Sequence, residues 1–87
     1  LMFASALGKV EIVKILLEYP NINVNAVDDQ GRTSFWWAAA GGHYKVLQLL
    51  ANRRGVKKRL KDSNAQTAYA IAKERNHGYV TVYLRNF

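Results

Sequence analysis

The feature that most constrains this chain is an internal period. Ala4 recurs as Ala38 and Ala72, Gly8 as Gly42, Asp28 as Asp62, Thr33 as Thr67 and His43 as His77, always 34 residues apart. A fixed period of about 20–50 residues marks a stack of supersecondary units, none of which can bury its apolar face without a neighbour. In 87 residues one compact array fits, and sharing one core suits a chain too short to enclose a deep one.

The best copy of the unit runs from Gly31 to Leu50. Thr33 is the expected N-cap of a helix Ser34–Ala40, Gly41-Gly42 supplies the turn, and a second helix Tyr44–Asn52 turns Val46, Leu47, Leu49 and Leu50 inward. Before it, residues 1–7 read as the end of a helix. Val10–Tyr19 is a second, with Ile12, Val13, Leu16 and Leu17 on the inner face and Pro20 as its stop. Asn21 to Gly31 reads as an extended, hairpin-like connection. Arg53 to Lys61 forms the next connection, and Ala68–Arg75 and Tyr79–Arg85 form the last helix pair, turned at Asn76-His77-Gly78.

These residues carry a family resemblance. Asp28-x-x-Gly31-x-Thr33-Ser34-Phe35-Trp36-x-Ala38-Ala39-x-x-Gly42-His43-x-x-Val46-Leu47-x-Leu49-Leu50 resembles the ankyrin repeat. So does the earlier unit with Val24-Asn25-Ala26, and Asp62 to Leu84 resembles a degraded final repeat. The resemblance implies an all-α array of helix-turn-helix units with hairpin-like connecting loops: a partial repeat at 1–27, a second at 28–61 and a C-terminal one at 62–87. Ser34 and Ala68 replace the family's proline, Phe35-Trp36 and Tyr69-Ala70 its leucine-histidine pair, and Lys57, Lys58 and Arg59 the Asn23-Val24-Asn25 of the connection.

The absence of cysteine leaves no disulfide or thiolate zinc site, and no apolar run reaches the roughly 18–20 residues of a membrane span. A cytoplasmic or nuclear setting is expected, within a longer parent chain. His43 and His77 lie in phase and read as structural, as do Asp28 and Asp62. Gly41-Gly42 lacks the Lys-Ser/Thr of a phosphate loop. Neither an enzyme nor a cofactor or metal site is expected. Trp37 is expected in the inter-helix core, with packing and binding both open for Trp36.

The resemblance implies a protein–protein interaction module, meeting its partner through a concave face and loop tips. By phase, the variable positions of that face are Asp29, Gln30, Arg32, Ala40 and Gly41, then Ser63, Asn64, Gln66, Glu74 and Arg75.

The net charge of +7 arises in the second part: residues 1–50 hold four Lys/Arg against four Asp/Glu, residues 51–87 nine against two. Arg53, Arg54, Lys57, Lys58, Arg59 and Lys61 form a basic patch with three readings: a solvated loop, a surface for an acidic protein, nucleic acid or anionic lipid, and a nuclear import signal. The apolar Tyr79, Val82, Tyr83 and Phe87, and the short first unit, raise the expectation of fraying or self-association at both ends.

Overall fold

In the computed structural model, which describes residues 1–87, the chain forms six helices and no strand. They are α1 (Met2–Ala6), α2 (Val10–Leu17), α3 (Ser34–Ala40), α4 (Tyr44–Ala51), α5 (Ala68–Glu74) and α6 (Gly78–Leu84). All are far shorter than the roughly 12–15 residues at which a helix is marginal alone, so packing must hold them. α3 lies between α1 and α5 in one row, and α4 lies between α2 and α6 in the other. The result is a two-layer helical stack.

Local chemistry sets the boundaries. Thr33 Oγ1 accepts from Trp36 N at 3.0 Å, and Thr67 Oγ1 from Ala70 N at 3.1 Å, each satisfying one of the orphan donors that open a helix. α2 ends two residues before the expected Tyr19, because Glu18 N and Tyr19 N bond three residues back, to Ile15 and Leu16, and tighten the turn ahead of Pro20. α6 begins one residue early, at Gly78.

The core follows the stacking. Phe35, Ala38, Ala39, Val46, Leu47 and Leu50 are closed from solvent between flanking helices, joined by Val13, Ile71, Ala72 and Val80. Of the inner face expected for α2, Val13 is fully buried, Leu16 and Leu17 are half-buried and Ile12 is exposed. α2 packs on α1 and α4, and Ile12 and Ile15 stand exposed away from them.

The hairpin-like connections contain no strand, and each is tipped by a tight turn. Gly31 N bonds Asp28 O and Asp28 N bonds Arg32 O, both at 3.0 Å. The same pair of bonds recurs one period on, from Ala65 N to Asp62 O and from Asp62 N to Gln66 O, at 2.9 Å.

Candidate functional site

Each turn is held by one carboxylate. Asp28 Oδ1 accepts from Gln30 N and Arg32 N, both at 2.9 Å, and Asp62 Oδ1 from Asn64 N and Gln66 N at 3.0 and 2.9 Å. These local bonds supply the backbone partners that a strand would otherwise provide. The second oxygen of Asp28 accepts from Arg32 Nε and from the Trp37 indole, at 3.1 Å each. Burial pushes the Asp28 carboxyl up, but the four donors outweigh it and hold it below its ordinary value.

Both indoles pack, Trp36 the more deeply. Trp36 is buried, its Nε1 closed from solvent without a partner. Trp37 is half-buried and packs against the edge of the core, where its indole reaches the turn carboxylate. The Arg32 guanidinium lies 4.6 Å from the Trp37 ring centre and 5.3 Å from that of Trp36. Fixed by both rings and by Asp28, Arg32 still has no protein acceptor for either Nη, and neither is sealed from solvent.

Three pairs of the positions inferred from phase are hydrogen-bonded to each other. Ser63 N donates to Gln30 O at 2.8 Å, and Ser63 Oγ reaches Gln30 O and Oε1 at 3.0 Å, tying successive tips together. Gln66 Nε2 donates to Glu74 Oε2 at 2.8 Å. Asp29, Gly41 and Asn64 are exposed. Ala40 is the correction. It is 2% exposed, so its side chain cannot meet a partner, and its carbonyl accepts from His77 Nε2 at 2.9 Å and Arg75 Nη1 at 3.3 Å.

Both histidines are taken up in the same way, His43 Nε2 lying 3.0 Å from Ala6 O. A carbonyl only accepts, so in each ring Nε2 carries the proton.

The basic segment divides. Arg53 does not belong to a free patch: its Nη1 donates to Leu17 O and its Nη2 to Tyr19 O at 3.4 Å, closing the C-terminal end of α2. Asn25 fixes the segment too, donating to Gly55 O at 2.9 Å and accepting from Lys57 N at 2.8 Å. Arg54, Lys57, Arg59 and Lys61 are exposed, and the two ion pairs of the chain, Lys14–Glu11 and Arg32–Asp28, use none of them. Sequence reasoning missed the Arg53 and Asn25 bonds, although the amides of Asn23 and Asn25 in a connection hinted that it is hydrogen-bonded.

Paired short helices in two rows, with turns linked tip to tip, define a helical repeat array of the kind that presents one extended face. A sequence profile of three ankyrin repeats matches residues 1–62, and the chain belongs to the ankyrin repeat family. Rabankyrin-5 of mouse and of human are each 35% identical to it over 72 residues, 83% of this chain and 6% of theirs. A chain in the solved complex of the predatory endopeptidase Bd0816 from Bdellovibrio bacteriovorus with immunity protein Bd3460 superposes with a TM-score of 0.88 at 30% identity. That match covers 95% of this chain and 42% of the other. The chain thus spans a small part of its curated relatives and under half of that solved chain. No helix is long and apolar enough to cross a membrane.

Proposed function

We propose that this chain is a recognition module that holds a protein partner on its row of turn tips and first helices, and not a catalyst. The observation that carries the reading is the display of Asp29, Gln30, Arg32, Ser63, Asn64 and Gln66 on turns already locked by Asp28, Asp62 and the Ser63–Gln30 bonds, with Glu74 and Arg75 at the end of α5 beside them. A surface fixed before binding loses little ordering entropy on association. Arg32, with Trp37 beside it and both Nη groups free, has the composition of an interface anchor. The protein complex among the solved relatives supports a protein as partner. Against catalysis, both imidazoles are already committed to carbonyls of the neighbouring unit. A cytoplasmic or nuclear setting suits a chain without cysteine.

A second reading places nucleic acid or acidic lipid on Arg54, Lys57, Arg59 and Lys61, which have no ion-pair partner within the chain. Affinity capture from cell extract with three baits at low and moderate salt separates the two. Proteins retained by the unaltered chain and by a variant with the basic segment neutralised, but lost with Arg32→Ala/Gln66→Ala, support the tip face. Loss with charge and with salt overturns it in favour of the basic segment.

A further inference from the structure

Beside α5 and α6 lies an open cavity of about 350 Å³. Lys58, Arg59, Lys61 and Arg85 line it together with Tyr69 and Phe87, and no acidic residue does. None of the four cations takes part in an ion pair.

The residues of this flank argue against its being the stacking surface for another unit in the same register. Ser5 and Ala39 occupy the position that packs flush on a neighbour, each wholly buried, and the same phase in the last unit holds the exposed Lys73. Gly8 and Gly42 lie under the histidine of the following unit, where a Cβ would stand 2.5 and 2.6 Å from the ring. Asn76 has their phase and carries a side chain. A further unit would bury an ammonium and drive its histidine into Asn76.

We infer that this cavity is a second docking site, distinct from the tip face, for an acidic protein segment that inserts one large apolar side chain between Tyr69 and Phe87 and sets carboxylates against Lys58, Arg59, Lys61 and Arg85. Charge complementarity fixes the sign of the occupant, and the aromatic walls require an apolar group within it. The volume is at the small end for ligand pockets of about 300–1,000 Å³, which suits one side chain. Nucleic acid is a poorer match: a strand needs a groove that tracks its backbone and a row of stacking rings, whereas this cavity of about 350 Å³ has room for one side chain.

The test is a titration of the isotope-labelled chain, followed by NMR, with acetylated peptides EDEXEDE in which X is Phe, Leu, Tyr, Trp or Ser. At least one large apolar X should bind about tenfold or more tightly than Ser, the factor expected from burying one such side chain. Its shifts should centre on Tyr69 and Phe87, and Lys61→Ala/Arg85→Ala should weaken it severalfold. Equal binding of the Ser peptide, tighter binding of a uridine oligonucleotide or of phosphatidylserine vesicles, shifts centred on Arg32, or no binding up to millimolar peptide would each overturn the inference. The shift map needs no variant, so misfolding of the double substitution does not rescue it. Arg32→Ala should leave this binding unchanged, which separates it from the tip-face reading.

Discussion

The His77 imidazole lies across Gly42, so close that a Cβ on the glycine would stand 2.6 Å from Nδ1, while Nε2 is 2.9 Å from Ala40 O. His43 repeats the arrangement over Gly8 and Ala6. Each histidine thus ties its own helix pair to the one before it. Gly42 has φ of +70°, so Gly42→Ala meets backbone strain and a clash with a ring that is itself bonded. Its loss should be about 2 kcal/mol or more. Gly55 has φ of +86° with nothing within 4 Å of its would-be Cβ. Gly55→Ala should therefore cost only the backbone part, about 1 kcal/mol. Thermal unfolding separates them, at about 4–8 °C per kcal/mol for a domain of this size; equal losses would show that the histidine yields freely.

Arg53 and Arg54 are adjacent in a basic run but do different work. Arg53 closes the carbonyls of Leu17 and Tyr19, whereas Arg54 is exposed with no bond to the chain. Arg53→Ala should destabilise by about 1–2 kcal/mol, as expected for a charged donor to backbone carbonyls. Arg54→Ala should stay within about 0.5 kcal/mol. Urea denaturation of the two variants checks this, and similar midpoints would dismiss the clamp.

Asp28 makes stability depend on acid. Its folded carboxyl holds its proton less tightly than the unfolded one. Its contribution is therefore complete above the unfolded pKa of about 3.9 and is lost as the pH falls through the lower folded value. Asp28→Asn keeps an oxygen for Gln30 N and Arg32 N but removes the charge facing Arg32 and the Trp37 indole. The variant should melt lower at pH 6, and the gap should shrink as the pH falls from about 5 to about 2. A gap that stays constant with pH would assign the loss to shape alone.

What could be read from the sequence was what repeats. The caps Thr33 and Thr67, the turn carboxylates Asp28 and Asp62, and the bridging histidines each sit one period apart and each make the same bond twice. What breaks the period was hidden. Arg53 bonds to backbone 36 positions away, and a carbonyl leaves no mark in a sequence. Trp36 and Trp37 are neighbours on a helix, and nothing that repeats says which indole is enclosed and which reaches Asp28. Ala40 is at a position that is variable by phase, yet Arg75 and His77 of the next unit both bond its carbonyl and its side chain is enclosed.

Gly31 and Ala65 occupy the same place in successive turns, with φ of +73° and +61°. For Ala65 that left-handed conformation carries strain of about 1–2 kcal/mol, which glycine would not carry. The side chain contributes little in return, being exposed and small. Glycine loses more backbone entropy on folding, offsetting part of the relief by about 0.4–1 kcal/mol. Ala65→Gly should then stabilise the chain by up to about 1 kcal/mol, a rare gain from removing a methyl group. The turn's bonds use only backbone atoms and Asp62, so they survive the change. A raised midpoint in thermal or urea unfolding is the expected result; a lowered one would mean that the unfolded-chain entropy outweighs the strain at this turn.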